Sequence, residues 1–435
     1  MLTLYSLLFF LFWPLLFLVF VWRYGLRRTL LGLPERFGWG GEWPAPGVLW
    51  VHAASVGEVR AAESFLRALP SRFPGIPRLL TTTTVNGKEL AQRLGLAEMV
   101  RLAPLDRPSA VQRLIQACRP RVLVLIETEI WPHWLRTLAA ARVPVAVVNG
   151  RISDGAFPLY YRLRGVLEPL LMGISRVGVQ SPRHASRYLQ LGAHPESVVI
   201  TGNLKFDVPL PDPQRRSALC SLYGFSEGDP LWVLGSTHPG EESSLLDVFV
   251  SLRRHSPTLR VVVAPRHVER AGEVHRLFSE RGFRTVLRTE LSGFNGTADV
   301  VILDTVGELA EIYGLATVVF VGGSLVRRGG QNPLEAARWG VPLIFGPHME
   351  NFQEIAALFQ ENQAAIQIKD AAGLYETVAQ LLVSPERRGT MGAAARSLAD
   401  SQRGALEASL SLLNEALTLP PRSVGRGTKK RCGTC

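Results

Sequence analysis

The sequence has few cysteines, and it lacks any group of residues with the spacing of metal ligands. Only four cysteines occur in 435 residues. Cys118 and Cys220 are isolated, whereas Cys432 and Cys435 form a single C-x-x-C at the end of the chain with no second pair. Half a zinc site is a weak signal, and sparse cysteine is typical of a reducing compartment. We therefore predict no bound metal.

Several catalytic and nucleic-acid signatures are also missing. The chain has no nucleophile elbow, P-loop or dinucleotide fingerprint, which disfavours hydrolase, ATPase and dehydrogenase activities and predicts no cofactor. It has no zinc finger, helix-turn-helix or RNA-binding motif, so we expect no nucleic-acid partner. The net charge of +11 instead suits anionic membrane lipids and acidic substrates.

Charge is absent from residues 1–22, which are dominated by Leu, Phe and Val. As a helix this run would extend about 33 Å, enough for the bilayer hydrocarbon. Arg23, Arg27 and Arg28 follow at once, which predicts a retained anchor with the rest of the chain in the cytoplasm. A cleaved signal peptide would need a basic start and a small-residue cleavage site. Pro14 leaves a shallow interfacial helix as the alternative.

After the anchor, apolar strand patterns alternate with helix patterns, which indicates doubly wound parallel sheets. Three prolines in Val208–Gln214 interrupt the alternation. We expect an N-terminal Rossmann-like domain at 35–207, a linker at 208–214, a C-terminal Rossmann-like domain at 215–419 and a disordered basic tail at 420–435. Two such domains would face a cleft, and ligands bind beyond the carboxyl ends of their strands.

Unusual polar residues follow the predicted strands of the first domain. Glu58, in Ser55-Val-Gly-Glu58, begins a helix after the first strand, either as a general base or as an ordinary first-turn acid. Glu127 and Glu129 follow the strand Val122–Ile126, where one could contact substrate and the other be structural. Lys205 lies next to the linker and could meet an anion.

The second domain has a glycine-rich stretch, Gly322–Gly340, after the strand Thr317–Val321. Its glycine pairs could admit a phosphate or could only form a tight crossover, and Asn332-Pro333 begins a helix near which Glu335 could bind ribose hydroxyls. Gly235-Ser-Thr-His238, Pro265-Arg266-His267 and Asp304–Glu308 also follow strands. Arg266 suits a phosphate or a base.

Together these motifs resemble the 3-deoxy-D-manno-octulosonic acid (Kdo) transferases of lipopolysaccharide synthesis, from the anchor to the last helix. The resemblance implies the two-domain glycosyltransferase-B fold, the donor CMP-Kdo, and a lipid A precursor (lipid IVA) as acceptor at the bacterial inner membrane. It assigns the base to Glu58 and transition-state stabilisation to Glu127 and Lys205. The positions that it assigns to CMP are Pro265, Arg266, Val306, Gly307, Glu308, Asn332, Pro333, Leu334 and Glu335.

Two positions depart from the family pattern. Gln331 stands where the family usually has His, so a cationic role there is in doubt. Val306 replaces the usual Met, a mild change if its contact with CMP is through the backbone. Two other functions stay open: another sugar-nucleotide enzyme, such as a UDP-sugar transferase or epimerase, and a non-catalytic binder of anionic lipid.

Overall fold

The computed structural model describes residues 15–419 apart from 16, 23–24, 41–42, 44, 208–211, 226–227 and 294–296. The predicted tail at 420–435, most of the predicted anchor at 1–22 and the start of the predicted linker therefore lie outside the described residues. Residues 17–22 are helical, and helix α1 follows at Leu26–Arg36. Within the part of the chain that the structure describes, no helix combines the length and the apolar character that a bilayer span requires.

The chain divides into two compact units, each built on a parallel sheet. The first unit contains the described residues up to Asp207 and from Arg403 onward, and the second contains those from 208 to Gln402. The described residues of each unit form seven parallel strands. Two Rossmann-like α/β domains, as predicted, are therefore confirmed.

The first sheet has the strand order β3-β2-β1-β4-β5-β6-β7. Its strands are β1 Leu49–His52, β2 Arg78–Thr82, β3 Met99–Leu102, β4 Val122–Ile126, β5 Val145–Gly150, β6 Arg176–Val179 and β7 Val198–Ile200. Its helices after α1 are α2 Val56–Ala61, α3 Glu63–Arg72, α4 Val85–Arg93, α5 Pro108–Cys118, α6 Pro132–Ala140, α7 Phe157–Arg162, α8 Arg164–Leu171 and α9 Pro182–Gln190. Helices cover both faces, so a central strand such as β4 is apolar and buried throughout.

The second sheet has the strand order β10-β11-β9-β8-β12-β13-β14. Its strands are β8 Leu231–Thr237, β9 Arg260–Pro265, β10 Thr285–Leu287, β11 Val300–Ile302, β12 Val318–Val321, β13 Leu343–Phe345 and β14 Ala365–Gln367. Its helices are α10 Pro213–Tyr223, α11 Glu242–His255, α12 Ala271–Ser279, α13 Leu309–Ile312, α14 Leu334–Ala337, α15 Gln353–Glu361, α16 Ala371–Val383 and α17 Pro385–Ser401. The helix α10 begins inside the predicted linker, because proline is tolerated in the first helical turn.

The C-terminal helix, Ala405–Thr418, belongs to the first unit, although the predicted C-terminal domain extended to 419. Its Leu413 and Ala416 are buried in the same apolar cluster as Phe65 and Val124 of the first sheet layer. The carboxylate of Asp207 accepts hydrogen bonds from the backbone N–H of residues 404 and 406, at 2.9 and 2.6 Å, and so caps the helix. The apolar face of this helix must be covered, but its sequence does not say which sheet covers it.

Candidate active site

The predicted acids of the first unit lie at a topological switch point of its sheet. Strand β1 has β2 on one side and β4 on the other, so the chain leaves β1 and β4 in opposite directions across the sheet. Ligands of open parallel sheets bind beyond the carboxyl ends of such strands. Glu58 follows β1, and Glu127 and Glu129 follow the parallel strand β4, so all three lie at the carboxyl end of the sheet.

Glu58 lies in the first turn of α2, as predicted, and its carboxylate turns back over the start of the helix. The backbone N–H of Ala54 donates to Oε2 at 2.7 Å, and the hydroxyl of Ser55 lies 3.2 Å from Oε1. Ser55 Oγ, at the N-cap, in turn accepts from the N–H of Glu58 at 3.3 Å, so the arrangement resembles a capping box in which the carboxylate binds the N–H one residue before the N-cap. These contacts fix the orientation of the carboxylate, while burial and a neighbouring charge decide its protonation.

The pKa of Glu58 is raised to about 8, chiefly because burial disfavours the charged form. The negative charge of Glu129 adds to the rise, and Glu127 contributes less, against the N–H of Ala54, which lowers it. A carboxylate with a pKa near 8 is a far stronger base than an exposed glutamate. The environment therefore suits the removal of a proton from a hydroxyl.

Glu129 contacts a buried histidine that the sequence did not indicate as a site residue. Its Oε2 accepts a hydrogen bond from Trp131 Nε1 at 2.7 Å and lies 3.8 Å from Nε2 of His52. His52 ends β1, is fully buried, and has its Nδ1 3.0 Å from the hydroxyl of Thr81. In the sequence, nothing distinguishes a histidine at the end of an apolar strand from any other residue at that position. Its contact with Glu129 becomes visible only when the pairing of β1 with β2 and β4 is known.

Glu127 and Lys205 both follow strands of the first sheet, and Glu127 has an unusual backbone conformation. Glu127 has a positive φ of 61°, a conformation that costs free energy for a residue other than glycine and recurs at functional sites. Lys205 lies in the short turn Leu204–Phe206. The side chain of Asn149, at the end of β5, accepts from Leu204 N at 3.0 Å and holds this turn against the sheet. Asn149 was not among the predicted site residues.

In the second unit, the predicted CMP positions divide into side chains that a ligand could reach and side chains that it could not. Arg266 follows β9 with an exposed side chain. Glu335 is close enough to Arg266 and Asn332 for both to lower its pKa, although burial raises it overall. Pro333 and Leu334 are buried, so any ligand contact at those two positions must come from the backbone.

The predicted positions 306–308 form a turn whose acidic side chain already has partners. Val306 is 85% exposed, and Gly307 has a φ of 97° that favours glycine. The carboxylate of Glu308 accepts two hydrogen bonds from Arg288, both at 2.8 Å, and one from Thr305 Oγ1 at 2.9 Å. The backbone of this turn is therefore better placed than Glu308 Oε to meet a ligand.

Among the described residues, no group of three His, Cys, Asp or Glu side chains could hold a metal ion. The candidate residues thus form one group in each unit: carboxylates and a lysine in the first, and arginine, asparagine, glutamate and glycine-rich backbone in the second. Residues of this kind can hold an anionic ligand and exchange one proton with it.

Residues 32–208 match the family model described as 3-Deoxy-D-manno-octulosonic-acid transferase (kdotransferase). The chain is 36% identical to the 3-deoxy-D-manno-octulosonic acid transferase of Bordetella pertussis, over 93% of this chain and 96% of that one. It is 33% identical to the enzyme of the same name from Haemophilus influenzae, over 88% and 91%. A UDP-GlcNAc 2-epimerase structure from Neisseria meningitidis superposes with a TM-score of 0.54 at 12% identity, over 86% and 100%, which indicates shared fold alone.

Proposed function

Since the chain belongs to the 3-deoxy-D-manno-octulosonic acid (Kdo) transferase family, we propose that it transfers Kdo from CMP-Kdo to a lipid A precursor, lipid IVA, in lipopolysaccharide synthesis. One observation of the structure supports this best. A buried carboxylate, Glu58, is held at a switch point of the first sheet with its pKa raised to about 8. A non-catalytic lipid binder has no need of such a base.

In the proposed reaction Glu58 removes the proton from an acceptor hydroxyl. The acceptor oxygen forms a bond to the anomeric carbon of Kdo, and the bond from that carbon to the phosphate oxygen breaks. CMP leaves with the electron pair of that bond, and the hydroxyl proton stays on Glu58. Attack from the side opposite the leaving group inverts the anomeric configuration.

Anion stabilisation is the second requirement, because the phosphate gains charge as CMP departs. We assign stabilisation of the transition state to Lys205 and Glu127 in the first unit, and propose that Arg266 of the second unit contacts the CMP phosphate. The backbone of residues 306–308 and the segment Asn332–Glu335 would bind CMP, consistent with the buried side chains of Pro333 and Leu334.

A membrane location suits an acceptor that is a lipid. Residues 158–165, which span the end of α7 and the start of α8, are exposed apart from Tyr160, which is half-buried against the core. Leu159, Tyr161 and Leu163 are 57, 44 and 46% exposed, and they alternate with Arg162 and Arg164. Apolar and basic side chains of this kind bind an anionic bilayer surface together. We propose that this segment joins the apolar residues 1–22 in holding the enzyme at the inner membrane.

Product analysis tests the proposed function directly. Purified full-length protein is incubated with CMP-Kdo and lipid IVA, and mass spectrometry should detect the acceptor with one or more added Kdo units and the release of CMP. CMP should inhibit the reaction, whereas UDP at the same concentration should not. Transfer from a UDP-sugar, with inhibition by UDP, would instead support the alternative of another sugar-nucleotide enzyme.

A further inference from the structure

The switch point of the second sheet is occupied by a pair of side chains to which no role has been assigned above. Strand β8 has β9 on one side and β12 on the other, so the crevice expected to bind ligand lies beyond β8 and β12. His238 follows β8, and the glycine pair Gly322 and Gly323 follows β12. The ligand-binding end of this sheet is therefore formed partly by His238.

A hydrogen bond across this position joins His238 to Gln331. The amide nitrogen of Gln331 lies 3.0 Å from Nε2 of His238. In this orientation of the amide, its nitrogen can only donate, so Nε2 of His238 accepts and the imidazole carries its proton on Nδ1. Gly323 makes room for the pair, because a Cβ there would lie 3.1 Å from the ring of His238.

The backbone around His238 is held by a buried carboxylate. Glu241 is fully buried, and its two oxygens accept hydrogen bonds from the backbone N–H groups of His238, Gly323, Ser324 and Leu325, at 2.7–2.9 Å. One side chain thus ties the end of β8 to the end of β12. The backbone that carries His238 is therefore fixed next to the glycine pair.

The charges facing His238 are mostly positive. The pKa of His238 is lowered to about 4, chiefly by burial and then by Arg328, His267, Arg266 and Arg270 in that order. Acidic side chains pair with some of these residues but not with all of them. Arg270 is paired with Glu242 and Glu273, His267 lies 3.5 Å from Glu269, and Arg266 faces Glu335, whereas Arg328 has no acid within salt-bridge distance among the described residues. An anion would be attracted here, and a neutral histidine can meet it as a hydrogen-bond donor.

We propose that Nδ1–H of His238 donates a hydrogen bond to an oxygen of the donor's phosphate, and that Gln331 is a positioning residue that fixes the required tautomer. The inference rests on the proposed function, because it takes a nucleoside monophosphate as the ligand. Nδ1 of His238 has no hydrogen-bond partner within the described residues, and the residue as a whole is 9% exposed. A phosphate oxygen would supply that partner.

Two substitutions separate the ring nitrogens. In His238→Asn the side-chain amide can donate from the position of Nδ1, whereas in His238→Gln it reaches only the position of Nε2. We expect His238→Gln to weaken CMP binding, measured by calorimetry, by about 10- to 100-fold, as for loss of a hydrogen bond to a charged group. His238→Asn should stay within about threefold of wild type, and cytidine, which lacks the phosphate, should bind all variants equally. His275→Gln, on α12, is the matched control.

The outcomes distinguish this inference from the proposed function. Wild-type protein that binds no CMP would overturn both. Wild-type protein that binds CMP, with His238→Gln binding it equally well or His238→Asn binding it as weakly as His238→Gln, would overturn the role of His238 alone.

Nitrogen NMR of histidine-labelled protein tests the tautomer without any ligand. At neutral pH the wild-type spectrum should show His238 neutral with its proton on Nδ1. In Gln331→Glu a carboxylate faces Nε2, so the proton should appear on Nε2 and the pKa of His238 should rise. A wild-type spectrum with the proton on Nε2 would refute the positioning role of Gln331.

Discussion

Glu58 carries a proton at neutral pH, because burial and the charge of Glu129 raise its pKa to about 8. As a base it must first lose that proton. We therefore expect kcat/KM for the acceptor to rise with pH and to level off above about 8. Glu58→Gln should lower kcat by about 10²- to 10⁴-fold and abolish this rise, while CMP binds as in wild type. Steady-state rates between pH 6 and 9 measure both effects.

Glu63→Gln is the matched control for that experiment. Glu63 is a glutamate on the neighbouring helix α3, and its carboxylate pairs at the surface with Arg60 and Arg67. Its loss should leave the pH profile unchanged. Glu58→Gln with turnover like that of wild type would exclude Glu58 as the base.

Glu129 is predicted to tune Glu58 through its charge, since it contributes more than Glu127 to the raised pKa. Glu129→Gln should lower the pKa of Glu58, so that the rising limb of kcat/KM against pH moves to lower pH. Glu127→Gln should move the limb less but reduce the maximal rate, because Glu127 is proposed to act on the transition state. An unchanged limb in Glu129→Gln would show that the two carboxylates are not coupled.

The same raised pKa predicts a pH-dependent stability. Folded Glu58 holds its proton up to about pH 8, whereas in the unfolded chain it loses the proton near the ordinary value of 4.5. Between these values the folded state binds more protons, so the contribution of Glu58 to stability falls as pH rises. The Tm of Glu58→Gln relative to wild type should therefore be higher at pH 8.5 than at pH 5. Calorimetry at the two pH values should show this difference, and a constant offset would contradict it.

At the scale of elements, the buried inner strands of both sheets could be predicted, and the four edge strands could not. Strand β4 was predicted with its observed bounds, because a run of five apolar residues can only be buried. Strands β3, β7, β10 and β14 lie at or near the sheet edges, have three or four residues, and are partly exposed, so they carry too weak a pattern. They are defined by pairing with their neighbours, which one sequence does not display.

The exposed segment 158–165 gives a prediction at this scale. The double substitution Leu159→Asp and Leu163→Asp removes two apolar side chains, and burial of each would stabilise membrane binding by about 1.5–3 kcal/mol. It also adds negative charge, which an anionic bilayer repels. We expect kcat/KM for acceptor embedded in anionic vesicles to fall at least about tenfold. The KM for CMP-Kdo, and the rate with acceptor in detergent micelles, should change little.

Val383→Asp is the matched control, because Val383 is 80% exposed at the end of α16 in the second unit. It should leave the vesicle rate unaltered. An equal loss in vesicles and micelles for the double variant would indicate damage to the fold rather than to membrane contact.

At the scale of the whole molecule, the sequence predicted the two sheets and the polar residues that follow their strands. It did not predict which side chains those polar residues contact. Glu58 was placed at the start of a helix by its motif, and the structure agrees. The contact between Glu129 and His52, and that between Gln331 and His238, join residues 77 and 93 positions apart by number. Such contacts depend on strand order and register, which sequence periodicity does not specify.

The path of the chain at its end gives a prediction for the whole molecule. A protein ending at residue 402 loses the C-terminal helix and so exposes apolar side chains of the first unit. We expect it to lose the thermal transition of the first unit, or to aggregate, while hydrogen exchange in the second unit stays slow. A protein ending at residue 419 keeps every contact described for this helix and should melt like wild type. Similar melting of both truncations would contradict the structural role of the helix.

This path also determines the order in which the units can mature on a ribosome. The first unit needs the helix Ala405–Thr418, so its N-terminal part must wait, with some of its apolar surface uncovered, until these residues have been translated. The second unit is one continuous stretch and can reach its native state earlier, although it is made later. We therefore expect the first unit, which emerges first from the ribosome, to need transient protection by a chaperone.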